Sequence, residues 1–148
     1  MLEYVNETLK KIDTADTETK AKMIAYYGAK TPFDLIFSLN FREDMNLGVP
    51  EGTPPLSIYK RDEAIHMDLT VSHLAIQMKR IKSLYQNRDK LTKTKKEYIF
   101  LQVLEAIPYQ EADVLIYAKD HALTELYPTI TYSLMESIFP QYCSKKLN

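Results

Sequence analysis

The chain has 148 residues, 45% of them hydrophobic and 26% charged, with a formal net charge of −1. That composition suits one ordinary domain with enough apolar material for its own core and excludes an intrinsically disordered chain. A net charge near zero also excludes a global field for nucleic acid or a membrane surface, so any electrostatic signal must be local.

Leu2, Val5, Leu9 and Ile12 recur at steps of three and four and predict a short amphipathic helix from the first residues. Asp16 or Thr17 is expected to cap a second helix with Ala21, Ile24 and Met23 or Tyr27 on its buried side, ended by Gly28 in the left-handed conformation. Thr31 and Pro32 predict a third helix, opened by a cap and a proline at the first helical position, with Phe33, Ile36, Phe37 and Phe41 as its apolar face. Residues 43–60 hold Gly48, Pro50, Gly52, Pro54 and Pro55 and read as an extended linker along the surface. Stiff proline-rich segments lose little entropy on docking, which makes Pro50, Pro54 and Pro55 candidate protein contacts.

Residues 62–86 form the longest predicted helix. Met67, Val71, Leu74, Met78, Ile81 and Tyr85 make a heptad seam, opposite a polar stripe of His66, Thr70, His73, Gln77 and Arg80. The seam is expected to pack on the chain's own core, with a homodimer as the alternative, and His66 and His73 are further candidate protein contacts. Thr94 and Glu97 read as a capping box heading a helix that is apolar on nearly every side through Ile107. Pro108 stops it, and the next helix places Ala112, Leu115, Ile116, Ala122 and Leu123 on one stripe with Glu111, Asp113 and Asp120 off it. So short a joint predicts an antiparallel hairpin at the centre of the core. Thr129 or Thr131 caps a last helix through Leu134, Met135, Ile138 and Phe139, ended by Pro140, and residues 141–148 form a frayed tail. The expected fold is all-α: residues 1–148 as a single compact bundle of about six to seven helices with a proline-rich crossover.

Charge is the most concentrated chemical feature. Lys79, Arg80, Lys82, Arg88, Lys90, Lys93, Lys95 and Lys96 face a single acid, Asp89, within one short segment. Such a run is most often a solvated surface, but it could gather phosphates by counterion release, with Tyr85 and Tyr98 as stacking groups, or meet an acidic protein. Glu63 and His66 have the spacing used in di-iron bundles, yet the second copy that such a site needs is missing. His66 and His73 stand about 10 Å apart along a helix, too far to share one ion. Cys143 cannot form an internal disulfide and has no histidine near it in sequence, and no phosphate loop, nucleophile elbow or zinc-protease motif is present. No enzyme, cofactor or metal is expected. Neither a signal peptide nor a long apolar span precedes the first helix, so no membrane association is expected.

The segments TPFDLIFSLNF, VPEGTPP, KKEYIFLQVLEAIPYQEADVLIYAKDHAL and TYSLMESIFP resemble a family of uncharacterised small proteins of T4-like tailed bacteriophages, marine phages included. The resemblance spans most of the chain and carries over no functional residue. It implies a phage origin and a location in the cytoplasm of the infected bacterial host. The function expected from residues and resemblance together is a non-enzymatic accessory protein, monomeric or homodimeric, that binds a host or phage protein. The alternative is a nucleic-acid-associated accessory protein using the basic segment.

Overall fold

The computed structural model describes residues 4–52 and 72–144. Seven α-helices run through them: α1 Val5–Thr14, α2 Thr17–Tyr27, α3 Phe33–Phe41, α4 Leu74–Gln86, α5 Lys93–Ala106, α6 Tyr109–Lys119 and α7 Tyr132–Ile138, with short 3-10 turns at Leu123–Glu125 and Pro140–Tyr142. No strand occurs among the described residues, so the bundle is all-α as its periodicities predict. Local signals place several ends. The Asp16 carboxylate accepts from Thr19 N at 2.8 Å and starts α2, the Thr131 hydroxyl accepts from Leu134 N and starts α7, and Pro108 separates α5 from α6.

Helix pairing departs from expectation. α5 approaches α4, while α6 packs on α3 and α1. The predicted α5–α6 hairpin is therefore not the core. Its two-residue joint explains why: Ile107 and Pro108 are both extended (ψ 161° and 147°), so the chain is redirected rather than folded back. The hairpin that does form is α4–α5, turned at residues 87–92. α5 is also less enclosed than predicted, burying Phe100, Val103 and Leu104 but leaving Tyr98 55% exposed. It starts two residues earlier than the Thr94 capping box implies, because the Thr92 hydroxyl accepts from Lys95 N.

The central element is α6, which buries Glu111, Ala112, Val114, Leu115, Ile116, Ala118 and Lys119. Glu111 is only 1% exposed, although its charge placed it off the predicted stripe. Its two oxygens accept from the first amides of two other helices, Val5 N of α1 at 2.9 Å and Leu74 N of α4 at 2.8 Å. The first amides of a helix have no partner within it, so one carboxylate here caps two helices from a third. Burial pushes the Glu111 carboxyl above its ordinary range, and the Val5 and Leu74 amides and nearby His73 oppose that shift. The Leu74 cap also fixes where α4 begins. His73 is extended (φ −130°, ψ 155°), so the predicted helix over 62–86 does not run through it; the seam residues Met67 and Val71 lie outside the described residues. Leu74, Met78 and Ile81 are buried within the one chain, and Tyr85 is half-buried.

Three other joints replace simpler expectations. Gly28 is right-handed (φ −64°, ψ −19°), not the left-handed terminator predicted. Its role is space: a Cβ there would stand 2.5 Å from Phe139 Cε2, and Tyr142 Oη donates to Gly28 O at 2.8 Å. Pro32 sits at the cap position of α3, one residue earlier than predicted. The described part of the linker is no simple surface crossover, since Met45 and Leu47 are buried and the half-buried segment after them is tied to the end of α6. Lys119 Nζ donates to Pro50 O at 2.8 Å and pairs with Asp120, whose other oxygen accepts from Gly52 N. Residues 141–144 are likewise held rather than frayed: Ser144 N donates to Phe41 O at 3.2 Å and Glu43 N donates to Ser144 O at 3.1 Å. Residues 145–148 lie outside the described residues.

Gly28→Ala is expected to destabilise the chain by about 1–3 kcal/mol, because the added methyl must displace Phe139. Urea unfolding checks it, and a gain in stability, as at an open helix position, would contradict the packing. Glu111→Gln is expected to cost about 1–3 kcal/mol, since the amide NH₂ must face one of the two N–H donors. The pH dependence has a fixed sign. A carboxyl raised in the folded state favours folding while protonated and loses that contribution as pH rises from its ordinary value of 4.5 through the folded value. The gap between wild type and Glu111→Gln should therefore narrow across that window, and a widening gap in paired urea titrations would reverse the assignment.

Candidate functional site: the groove between α3 and α4

α3 turns its phenylalanines inward, which leaves Asp34, Leu35, Ser38 and the following Arg42 along its other side at helical spacing. α4, started at Leu74 by the Glu111 cap, runs opposite and presents Ala75, Ile76, Met78, Lys79, Lys82 and Tyr85. Each of the two helices has its close partner elsewhere, α6 for α3 and α5 for α4, so the space between them stays open. It is a groove of about 570 Å³, lined further by Thr31, Met45 and, from the C-terminal segment, Tyr142. Met45 and Met78 form a buried floor, Leu35 is half-buried, and Ile76 stands 51% exposed at the rim.

The charges around it are unequally engaged. Arg42 donates from Nε and Nη2 to Asp44 at 3.2 and 2.6 Å, which, with the Ser144 hydroxyl at 2.6 Å, holds the Asp44 carboxyl well below the usual range. Asp34 Oδ1 accepts its neighbour's amide, Leu35 N, at 2.8 Å. Lys79 and Lys82 are exposed, one turn apart on α4, and make no ion pair among the described residues. Tyr142 lines the groove with its hydroxyl turned to Gly28, its pKa raised by burial and by Asp34.

The eight basic residues do not converge. Lys79 and Lys82 edge this groove, whereas Arg80 donates to Gln102 Oε1 at 2.6 Å and lines a separate hollow with Ser83, Leu84, Asn87, Leu91 and Ile99. Arg88 stacks on the Tyr85 ring at 4.1 Å and donates to Tyr85 O at 2.7 Å. Lys96 lies over the loop at Gly48, close enough that a Cβ there would be 2.7 Å from its Nζ. Lys90, Lys93 and Lys95 are exposed around the α4–α5 turn and the start of α5. Of the protein contacts predicted, Pro50 is half-buried with its carbonyl held by Lys119, and His73 stands just before α4, its side chain bonding none of the first amides and its ring 5.0 Å from that of Tyr4. Pro54, Pro55 and His66 lie outside the described residues.

Sequence patterning missed Asp34, Leu35 and Arg42 as site residues, although their spacing with Ser38 already sets them on one side of α3. Among the described residues no group of three or more histidines, cysteines or acids could hold a metal ion. His121 donates from Nδ1 to Asn40 O at 3.0 Å, and no described helix is long and apolar enough to cross a membrane.

A family model matches residues 8–125, the stretch that carries α1 from Thr8 onward through α6, both walls of the groove and Glu111. The chain belongs to DUF6433. That family is described as one of unknown function. Its matched stretch ends before α7 and Tyr142, so the C-terminal lining of the groove lies beyond it. No curated protein and no solved structure matches the chain.

Cys143 lies beside α7, half-buried, and burial together with Glu136 pushes its thiol up to about 11. Alkylation by N-ethylmaleimide at about pH 8 should therefore run on the order of tenfold or more slower in the folded chain than in the urea-unfolded chain. Equal rates would show a thiol open to solvent and ordinary in acidity.

Proposed function

We propose that the chain is a non-enzymatic accessory protein of a tailed phage that acts in the cytoplasm of the infected host by binding a host or phage protein through the α3–α4 groove. The observation that supports this reading is the pairing of apolar Leu35 and Ile76 with two exposed cations, Lys79 and Lys82, that make no ion pair among the described residues. Ile76 stands half-exposed beside half-buried Leu35 in a concave site, and a polar rim around an apolar centre is the usual layout of a binding face. A nucleic-acid role for the basic segment draws less support, because Arg80 and Arg88 donate hydrogen bonds within the chain and Lys96 lies over the loop at Gly48.

A photo-reactive benzoylphenylalanine placed at Ile76, and for comparison at exposed Lys22 on α2, tests the proposal in infected cells. A discrete protein adduct is expected from position 76 and not from position 22. Nucleic-acid adducts, or the same adducts from both positions, would contradict it.

A further inference from the structure

The chemistry of the groove restricts what can occupy it. A volume of about 570 Å³ holds a few side chains rather than the face of a domain. Along α4 the residues change character within one turn: Ile76 and Met78 are apolar, while Lys79 and Lys82 stand beside them with their ammonium groups in solvent. Across the gap Leu35 continues the apolar side, and Arg42 and Asp34 already have partners of opposite charge or complementary polarity. The net charge of this lining is therefore positive, Lys79 and Lys82 outnumbering the Asp34 carboxylate, in a chain whose net charge is −1.

A ligand bearing only negative charge would leave Ile76, 51% exposed, in contact with water. One bearing only apolar groups would bring its surface against two hydrated ammonium groups and displace their water without replacing it. Both demands are met when carboxylates and a large apolar side chain alternate within a few residues.

We propose that the α3–α4 groove receives a short acidic segment of the partner protein, with one or two large apolar side chains on Leu35 and Ile76 and flanking carboxylates at Lys79 and Lys82. This deepens the protein-binding reading and rests on it. The lysines set orientation and encounter rate, and the apolar contacts set residence time.

Fluorescein-labelled synthetic peptides of about a dozen residues test it against the full chain by fluorescence polarisation. One interleaves Glu and Asp with Leu and Phe, a second replaces every acid by its amide, a third is polyglutamate, and a single-stranded oligonucleotide is the fourth probe. Only the first is expected to saturate. Its affinity should fall by about tenfold or more in Lys79→Glu/Lys82→Glu and several-fold in Ile76→Ser, while Lys90→Glu/Lys93→Glu leaves it unchanged. These are exposed positions, and a wild-type thermal melt confirms that each variant is folded. Equal binding of the amide peptide, of polyglutamate or of the oligonucleotide would overturn the proposal, as would binding that ignores the groove substitutions. If no peptide binds while position 76 still cross-links a protein, the acidic chemistry falls and protein binding stands. If position 76 cross-links nothing, both fall.

Discussion

One buried carboxylate sets the relation of three helices. The first amides of α1 and α4 both end at Glu111, which lies in the first turn of α6. Three helix starts thus meet where water is excluded, and each brings unpartnered N–H groups and the positive end of its dipole. Without an acceptor that arrangement would leave buried donors unmet, at about 1–3 kcal/mol for each. A carboxylate satisfies both donors and carries the charge that the dipoles favour, against the desolvation that raises its pKa. The same device recurs more modestly elsewhere. Buried Asn40 on α3 accepts from Leu123 N at 2.9 Å, and Asp13 at the end of α1 accepts from Thr129 N at 2.9 Å. Polar side chains from one element therefore start or fix another, and they determine where the apolar faces meet.

The consequence for the groove is direct. Anchoring Leu74 determines the rotation of α4 about its axis, since the buried residues Leu74, Met78 and Ile81 must face the core. Lys79, Lys82 and Ile76 are then carried to the opposite wall from α3. The proposed binding face depends in this way on a group that no ligand would touch.

Much of this was legible in the sequence, and the failures share a cause. Stripes and caps are local, so Ile12, Phe37, Asp16, Thr131 and Pro108 disclosed the helices and many of their ends. Pairing is not local: an apolar stripe shows which side of a helix is covered but not by what, and the α5–α6 hairpin was inferred from loop length alone. Charge sets Glu111 off the buried stripe in the sequence because an acid in a first turn is ordinary on an exposed helix, and nothing nearby signals two distant amides waiting for it. The break at His73 has no proline or glycine to mark it. Gly28 did carry a signal, but the obvious conformational explanation displaced the steric one, which needs Phe139. Family membership adds a matched stretch, 8–125, without an activity, so the functional account rests on the groove.

The most direct measurement of the Glu111 cap is amide hydrogen exchange by NMR at Val5 and Leu74. Amides at the first position of a helix ordinarily exchange with little protection, whereas these two should be protected nearly as well as the core of α6. Exchange at both as fast as in the unfolded chain would contradict a carboxylate holding three helices together.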